Sequence, residues 1–413
     1  MVKKIIPTEE QANAIQFCLD YIDGKVSDNG KGYIFISGQA GVGKSEIQKF
    51  ILSHFKPKEF VLAAYTAKAA RVMEEKSGFK ASTIHKLMYV PIYDDDGDII
   101  DWYYDKDKLR DNKDLKFVLI DECSMMTQRQ MNDLKTSGKK IIVFGDYYQL
   151  PPINTPQIFT KQNADIILSK IHRQAESNPI IQHLSNLRKN IDIPYGNIDN
   201  KLIKVNNLAE LFNGDIKKFL DYDQIICGTN ATRNQLNKTI REIMGIKSPL
   251  PVKGEKLICL KNNIKVDLAN GDQFIAMEDA TDYDDYQGLF RLHTDINDKQ
   301  NKNKKNKRKK FNNSFTLISD IYDDTERKRI NWYEQLQLKK EGVWQQLDDK
   351  PLTYRQNFVE SDFSYAISCH KSQGSEWKNI LIIDESSVFP NFKYRWLYTA
   401  VSRCRESATI VKL

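Results

Sequence analysis

The feature that most restricts the fold of this chain is a glycine-rich loop near its start, which reads Gly38-Gln39-Ala40-Gly41-Val42-Gly43-Lys44-Ser45. An apolar, aromatic run at 33–37 precedes the loop, and apolar positions with helical spacing follow it at 46–52. The order strand, glycine loop, helix predicts a P-loop, in which backbone N–H groups and the positive end of the helix surround phosphates. In such a loop Lys44 reaches the β- and γ-phosphates and Ser45 binds Mg²⁺. The sequence therefore predicts a site for a nucleoside triphosphate with Mg²⁺.

Length and composition indicate a large folded protein. A chain of 413 residues with 40% hydrophobic residues predicts two to four domains with substantial cores. No apolar run approaches the roughly 18 residues of a transmembrane helix, and the apolar part of 1–7 is too short for a signal peptide. The six cysteines are widely spaced and no pair has metal-ligand spacing. These features predict a cytoplasmic protein with reduced thiols and no membrane partner.

The net charge of +7 says little about the partner, because it comes from one segment. Residues 302–310 contain seven basic side chains, so the rest of the chain is electrically balanced. A nucleic-acid path would therefore depend on the local arrangement of charges. The segment itself has low complexity and predicts a solvated loop that contacts phosphates weakly or binds a partner.

Several apolar runs predict buried strands of parallel sheets. In the first half of the chain they lie at 61–65, 118–120 and 141–144, and in the second half at 224–227 and 379–383. The last two runs are separated by sequence of different composition, acidic, then rich in lysine and asparagine, then charged and helix-like at 323–340. This pattern predicts a second α/β domain interrupted by an insertion at 266–356.

A smaller insertion reads as a β-hairpin, since aromatic segments at 90–93 and 99–104 flank an acidic Asp-Gly turn. The domain boundaries that follow are 1–82 with 106–175 for the first domain and 83–105 for its hairpin. The second domain takes 176–265 with 357–413, and 266–356 is inserted in it.

Candidate catalytic residues follow the predicted strands. Asp121 and Glu122 come directly after 118–120, where Asp121 is placed to hold Mg²⁺ and Glu122 to orient or deprotonate the attacking water. Gln149 follows the strand at 141–144 and is placed to touch the γ-phosphate. Arg173 and Arg403, from outside the P-loop domain, would supply positive charge to the transition state and make hydrolysis depend on domain closure.

These motifs together resemble superfamily 1 DNA helicases of the 5′-to-3′ branch, most closely the Dda-type helicases of T4-like phages, with the RecD and Pif1 types more distant. The motifs that carry the resemblance lie in the family's order at 8–11, 38–45, 65–70, 82–87, 121–125, 145–152, 227–230, 366–375 and 398–403. The resemblance implies an α/β fold with two RecA-like P-loop domains built on parallel sheets. It also implies a strand-separating pin at the hairpin and a small β-rich, SH3-like domain inserted in the second.

The resemblance also implies the roles of further residues. In the ATP site, Gln11 reads adenine, while Gln373 and Gly374 approach the nucleotide from the second domain and Arg403 is an arginine finger. The implied contacts to single-stranded DNA are Thr66, Lys68, Thr83, His85, Asn230, His370 and Ser372. Tyr93, Trp102 and Tyr103 of the hairpin are candidates for stacking a base at the fork, although an acidic surface hairpin without this role is the alternative.

The function so predicted is an ATP-dependent DNA helicase that moves 5′-to-3′ on single strands and unwinds duplex or forked DNA, with a role in phage DNA replication, recombination or repair. A monomeric motor, with a single-strand-binding or replisome protein as partner, fits this function, and a phage chain would act in the host cytoplasm. A translocase that strips protein from single strands uses the same motor and stays open as the alternative. A P-loop nucleotide kinase is set aside, because it would not carry the motifs at 227–230, 366–375 and 398–403.

Overall fold

The structure is a computed structural model that describes residues 6–93, 99–152, 155–170, 179–260, 268, 270–282, 289–295, 315–319 and 358–412. Within these residues the backbone forms three six-stranded sheets and one two-stranded hairpin. Helices cover the first two sheets, so the predicted α/β class with parallel sheets is confirmed. In the described part of the chain no helix is long and apolar enough to cross a membrane. All six cysteines are free thiols, five of them buried.

The first sheet carries the P-loop. Its strands are β1 (Ile34–Gly38), β2 (Phe60–Ala64), β3 (Ala81–Thr83), β6 (Phe117–Asp121), β7 (Lys140–Gly145) and β8 (Ile166–Leu168). They pair in parallel in the order β3-β2-β6-β7-β1-β8. Its helices are α1 (Glu9–Ile22), α2 (Lys44–Leu52), α3 (Ala67–Ser77), α4 (Ile84–Met88), α5 (Asp107–Arg110) and α6 (Gln128–Lys135). Apolar side chains on both faces of the central strands are buried in two cores, which explains their continuous apolar runs.

The predicted hairpin is present. Strands β4 (Tyr89–Tyr93) and β5 (Ile99–Tyr104) pair antiparallel, with Pro91 opposite Trp102. The acidic turn at 94–98 lies outside the described residues. At the base of the hairpin, Trp102 and Tyr104 pack against the core of the first sheet, which fixes the hairpin on its parent domain.

The second sheet joins sequence from both sides of the large insertion. Its strands are β9 (Gly196–Ile198), β10 (Leu202–Val205), β11 (Gln224–Cys227), β18 (Ala366–Ser368), β19 (Trp377–Asp384) and β20 (Cys404–Lys412), in the order β18-β11-β19-β20-β10-β9. Strands β11 and β19, both expected from apolar runs, are parallel neighbours. The helices of this half are α7 (Pro179–Leu187), α8 (Leu208–Phe212), α9 (Asn230–Ile243), α10 (Cys369–Ser372) and α11 (Lys393–Val401).

The third sheet occupies the insertion and is mostly antiparallel. Its strands are β12 (Lys256–Cys259), β13 (Gln273–Ile275), β14 (Thr281–Asp282), β15 (Leu289–Leu292), β16 (Phe315–Ser319) and β17 (Phe358–Phe363), in the order β13-β12-β17-β16-β15-β14. Strands β12 and β17 come from outside the predicted bounds 266–356, so this sheet begins earlier and ends later in the chain than the composition change suggested. The domain boundaries as a whole stay a prediction. The basic segment 302–310 and the helix-like sequence at 323–340 lie outside the described residues.

Candidate active site

The P-loop connects the end of β1 to the start of α2. Gly41 and Gly43 both have φ of 83°, in the left-handed region that favours glycine, and Gly43 is the N-cap of α2. A side chain at Gly43 would strain this turn, so the motif glycine keeps the N-terminus of α2 open to an anion. The loop residues Gly38, Gln39, Ala40, Val42 and Ser45 lie in the predicted order between strand and helix.

The ammonium group of Lys44 folds back onto its own loop. Its Nζ donates to the carbonyl oxygens of Gly38 at 2.6 Å and of Gln39 at 3.1 Å. Backbone carbonyls are weak substitutes for phosphate oxygens, because charge-assisted hydrogen bonds to anions are stronger. Lys44 is therefore positioned to exchange these contacts for the phosphates of a nucleotide.

The two candidate carboxylates lie at the end of β6. Asp121 ends the strand and its Oδ1 accepts a hydrogen bond from the backbone N–H of Glu122 at 2.9 Å. Burial raises the pKa of Glu122, and the neighbouring Asp121 adds to this effect, whereas Arg403 and Lys44 oppose it. A carboxylate with a raised pKa suits a general base. The opposing effect of Arg403 also shows that this arginine lies near Glu122, although it comes from the far end of the chain.

The loop after β7 carries Gln149. The side chain is 5% exposed, and its Oε1 has no hydrogen-bond partner among the described residues. Asp146, in the same loop, is buried and accepts hydrogen bonds from Arg188 Nη1 at 2.6 Å and from the hydroxyl of Tyr398. The loop is therefore held by groups of the second half of the chain.

Two of the predicted residues from the second half reach the same cleft. Arg403 is 4% exposed and donates through Nη2 to Ser402 Oγ at 2.8 Å. Gln373 is also buried, and its Nε2 donates to the carbonyl of Leu150 at 3.1 Å. Arg173 lies outside the described residues, so its predicted role is not placed.

Gly374 lies where the two halves approach each other. With φ of 75° and space so limited that a Cβ would lie 3.2 Å from Thr66 Oγ1 and from Ala69 Cβ, this position requires glycine. The backbone of the second half therefore packs directly on the start of α3.

The polar groups of the cleft fit a nucleotide. Buried atoms without a hydrogen-bond partner in the described part of the chain include Gln149 Oε1, Gln373 Oε1 and Ser124 Oγ. Buried polar groups are almost always paired, so unpaired atoms in a cleft point to an absent ligand or water. The hydroxyl of Ser45 and the carboxylate of Asp121 are oxygen donors of the kind that Mg²⁺ prefers when nucleotide phosphates supply its other ligands.

Gln11, the predicted adenine reader, is engaged in local structure. It forms a capping box with Thr8 at the start of α1, and its Nε2 donates to the carbonyl of Val42 at 2.9 Å. This bond ties α1 to the P-loop. Contact between Gln11 and adenine stays a prediction.

The candidate DNA contacts of the first half lie at two helix starts. Thr66 and Thr83 are the N-caps of α3 and α4, where their hydroxyls accept backbone N–H groups. His85 stands in α4 beside an aromatic group, with ring centroids 5.6 Å from Tyr89 and 5.8 Å from Trp102. Burial lowers the pKa of His85, which favours its neutral form.

Trp102 is half-buried against His85 at the base of the hairpin rather than near its turn. This contact anchors the hairpin to α4, and stacking of Trp102 on a base at the fork stays a prediction. The side chain of Tyr93 lies outside the described residues.

The candidate contacts of the second half differ in exposure. Asn230 begins α9 and its Oδ1 accepts from Arg233 at 3.1 Å, while burial lowers the pKa of His370. Ser372 is fully buried, and its hydroxyl donates to the carbonyl of Cys369 at 2.7 Å. Asn230 is therefore exposed and His370 is half-buried, whereas the Ser372 side chain is not accessible.

Lys68, on α3 beside the first sheet, lies close to residues of the other two. Its Nζ is 4.9 Å from the ring centre of Trp377, the first residue of β19. Burial lowers the pKa of Lys68 to about 8, against the opposing effect of Asp272 in the third sheet. One turn along α3, Arg71 pairs with the same Asp272 at 3.0 Å. The helix α3 thus connects the first sheet to both others.

Several residues of this site were not predicted from the sequence. Arg188 and Arg395 hold the loop of Gln149, and Glu385 holds the turn before α9 by accepting from the backbone N–H groups of Gly228 at 2.6 Å and Thr229 at 3.0 Å. Arg395 could have been found from the sequence, because it lies four residues before Thr399 and eight residues before Arg403. Arg188 and Glu385 stand in no recognisable pattern.

Comparisons with known proteins agree with this geometry. A profile described as an AAA domain matches residues 10–194, and a profile described as a UvrD-like helicase C-terminal domain matches residues 363–411. The chain is 26% identical to the ATP-dependent RecD2 DNA helicase of Deinococcus radiodurans, over 91% of this chain and 46% of that protein. It is 23% identical to the ATP-dependent DNA helicase Pif1 of Campylobacter jejuni, over 91% of this chain and 88% of that protein.

The ATP-dependent DNA helicase dda of Enterobacteria phage T4 matches a shorter part, at 27% identity over 35% of this chain and 33% of that protein. These matches support a superfamily 1 helicase similar to the Pif1 and Dda types. The predicted resemblance to this family is thereby confirmed. The chain spans about half the length of the RecD2 relative, at 46%.

A solved structure shares the fold of the family. The Pif1 helicase from Bacteroides, in complex with ADP-AlF3 and single-stranded DNA, superposes with a TM-score of 0.52 at 20% identity and covers 99% of this chain and 92% of that chain. At this identity the likeness concerns the fold, and it supports the RecA-like P-loop architecture.

Proposed function

We propose that the chain is an ATP-dependent DNA helicase that moves 5′-to-3′ on single-stranded DNA and unwinds duplex or forked DNA. The observation that carries the proposal is the cleft itself. Gln373 of the second half bonds to the loop of Gln149, and both Lys44 of the P-loop and Arg403 of the second half lie close enough to Glu122 to lower its pKa against the effect of burial. Because both halves contribute to one site, nucleotide turnover is coupled to their relative position.

In the proposed hydrolysis each residue has one task. Lys44 binds the β- and γ-phosphates, and Glu122 orients the attacking water and accepts its proton. Arg403, with Arg173, stabilises the charge that develops on the γ-phosphoryl group, while Gln149 registers the loss of that group. Ser45 and Asp121 would hold Mg²⁺, which neutralises phosphate charge when bound.

The proposed DNA path crosses the start of α3, the start of α4 and the turns before α9 and α10. Its contacts are Thr66, Lys68, Thr83, His85, Asn230, His370 and the backbone near Ser372, with Tyr93 and Trp102 of the hairpin at the fork. Contacts of this kind address the phosphate backbone, so we expect little sequence preference and strong salt dependence.

The similarity to proteins named as DNA helicases supports this class of enzyme. We propose in addition that the chain moves with 5′-to-3′ polarity and acts in replication, recombination or repair. We also propose that it acts as a monomer in the cytoplasm, or in the host cytoplasm if a phage encodes the chain. A single-strand-binding or replisome protein is the proposed protein partner.

A translocase that removes protein from single strands is the second candidate. The position of Trp102 favours it, because this ring packs against His85 at the base of the hairpin. Trp102 is then not available to stack on a base at the fork. The same motor would then separate duplex DNA poorly.

The deciding experiment measures ATP turnover with and without single-stranded DNA, together with unwinding of forks that bear either a 5′ or a 3′ tail. Lys44→Ala serves as the inactive control. Stimulated turnover with unwinding only from the 5′ tail supports the proposal, and stimulated turnover without unwinding supports the translocase. Turnover that is indifferent to DNA contradicts both.

A further inference from the structure

Helix α11 and the turn directly after it carry three polar residues at helical spacing. Arg395, Thr399 and Arg403 follow one another at intervals of four residues, so they lie one above the other along the helix and its C-terminal end. Arg403 reaches the nucleotide cleft. Thr399 and Arg395, one and two turns earlier, contact the loop that carries Gln149.

Arg395 binds three successive carbonyls of that loop. Its guanidinium donates to the backbone oxygens of Tyr147 at 2.9 Å and Tyr148 at 3.1 Å, and to that of Gln149. A fourth bond reaches Gln157 Oε1 at 2.7 Å. The rigid fork of a guanidinium suits this geometry, because its donors are fixed in one plane and leave the loop a single orientation.

Thr399 and Gln373 hold the next residue of the loop. Thr399 Oγ1 accepts from the N–H of Leu150 at 3.0 Å, and Gln373 donates to the carbonyl of Leu150 at 3.1 Å. The carbonyls of four consecutive residues, 147–150, are therefore all bonded to groups of the second half. In the chain this loop follows strand β7 of the first sheet, but its hydrogen bonds tie it to groups of the second half.

We propose that Arg395 is a positioning residue that fixes the loop of Gln149 to α11, the helix that directly precedes Arg403, so that the γ-phosphate sensor and the arginine finger move as one unit. Loss of Arg395 removes the three bonds that hold the carbonyls of Tyr147, Tyr148 and Gln149 and so loosens the position of Gln149, while the P-loop and its own contacts are unchanged. This inference rests on the proposed function, since it assigns how that site is coupled to the second half.

The test compares Arg395→Met with Arg395→Lys and with the control Arg405→Met, which removes an exposed arginine that pairs with Glu376 on the surface. We measure ATP turnover on oligo-dT, the Kd of a fluorescent ADP, and the Kd of fluorescein-labelled oligo-dT with and without AMP-PNP. A misplacement of about 1 Å at a reacting centre can lower a rate about 100-fold. We therefore expect the kcat of Arg395→Met to fall by up to about 100-fold. Its Kd for ADP should stay that of the wild type, because the P-loop is untouched.

The ratio of the two oligo-dT Kd values reports the coupling. In the wild type we expect AMP-PNP to change the DNA Kd at least about 5-fold, a typical coupling between sites. In Arg395→Met the ratio should approach 1, and Arg395→Lys should lie between, because an ammonium group binds fewer of the three carbonyls. A purely structural role would lower the melting temperature and leave the ratio unchanged for the folded molecules.

The outcomes separate the two proposals. Wild-type kcat and coupling ratio in Arg395→Met overturn the role of Arg395 and leave the proposed function standing. A wild type without DNA-stimulated turnover overturns the proposed function and the inference with it. If circular dichroism shows that Arg395→Met is unfolded, Arg395→Lys decides by the same two quantities.

Discussion

Glu122 follows the buried strand β6 in a backbone conformation that residues other than glycine rarely adopt, with φ of 51° and ψ of 47°. Such a conformation costs on the order of 1–3 kcal/mol and persists where the surroundings hold it. Here it turns the carboxylate away from the strand and toward the cleft that Lys44 and Arg403 share. The strain is thus placed at the residue that we expect to act as general base.

We predict that Glu122→Gln lowers kcat for ATP by about 100- to 10,000-fold, the usual contribution of a general base. Glutamine keeps the size of the side chain, so nucleotide affinity should change little. Steady-state turnover and binding of a fluorescent ADP measure the two effects. Glu75→Gln, on an exposed position of α3, is the matched control, and a wild-type kcat in Glu122→Gln would show that another group activates the water.

The pH profile offers a second view of Glu122. Burial raises its pKa above the ordinary 4.5, and only the ionised form can accept a proton. Turnover should therefore fall as the pH decreases through this raised pKa, at a higher pH than an unperturbed carboxylate would give. The acidic limb of kcat against pH should disappear in Glu122→Gln, which retains only residual turnover.

For Lys68 we predict that affinity for single-stranded DNA falls as the pH rises through about 8, because burial lowers the pKa of Lys68 to about 8 and only the charged form binds phosphate. The matched variant is Lys68→Arg, since a guanidinium stays charged and should remove this pH dependence. Titrations of labelled oligo-dT between pH 7 and pH 9, at constant salt, test this; equal slopes in both proteins would contradict it.

The titration of Lys68 should also affect the stability of the fold, which should rise with pH where the DNA affinity falls. Between a pKa of about 8 in the folded protein and the ordinary 10.5, the unfolded chain binds the additional proton. The free energy of unfolding contributed by Lys68 should therefore rise with pH across this window. Urea unfolding at several pH values would detect it as a difference from Lys68→Arg.

The hairpin of β4 and β5 is joined to its domain by aromatic contacts at one end and carries an acidic turn in its sequence at the other. At the joined end, Trp102 packs on His85 of helix α4, and Thr83 is the N-cap of the same helix. The arrangement connects a candidate strand separator to candidate DNA contacts through one short helix. The contact of Trp102 with His85 is therefore an anchor, and a fork role for Tyr93, at the other end of β4, stays a prediction.

We predict that Tyr93→Ala slows fork unwinding while DNA-stimulated ATP turnover stays near that of the wild type. Trp102→Ala should lower the melting temperature as well as unwinding, because it removes a half-buried aromatic from the core contact. Tyr195→Ala, which removes an exposed aromatic of the second half, is the control. Loss of unwinding and turnover together in Tyr93→Ala would reject a dedicated strand-separating pin.

The two halves of the molecule meet over a buried charge pair. Arg188 and Asp146 lie 2.6 Å apart with side chains 13% and 0% exposed, and Tyr398 of α11 donates to the same carboxylate. The guanidinium also lies over the rings of Tyr147 and Tyr398, at 4.5 and 5.4 Å.

We predict that Arg188→Ala lowers the free energy of unfolding by about 3–5 kcal/mol, because it leaves the buried carboxylate of Asp146 without its cation. Chemical unfolding followed by circular dichroism measures the loss. Lys189→Ala, the adjacent exposed position, should change stability by less than about 0.5 kcal/mol. A small effect in Arg188→Ala would mean that the interface opens in solution and water solvates Asp146.

The local parts of this protein could be predicted from its residues. The P-loop, the strand before Asp121 and the strand before Gln149 are each short, continuous patterns, and a buried parallel strand must be apolar whatever lies around it. Because parallel strands end at one edge of a sheet, the clustering of these polar residues also followed. The family resemblance rested on the same local motifs, and the comparisons confirm it.

The contacts between distant segments depended on the folded molecule. Arg395 and the loop it holds are 247 residues apart in the chain, Arg188 and Asp146 are 42 apart, and Asp272 joins α3 from within an insertion whose sheet begins before its change in composition. No local pattern encodes such pairs, since a surface arginine and a buried interface arginine have the same sequence signature. Packing of the two sheets selects which charges are desolvated together, and it bonds the loop of Gln149 to α11, the helix that directly precedes Arg403.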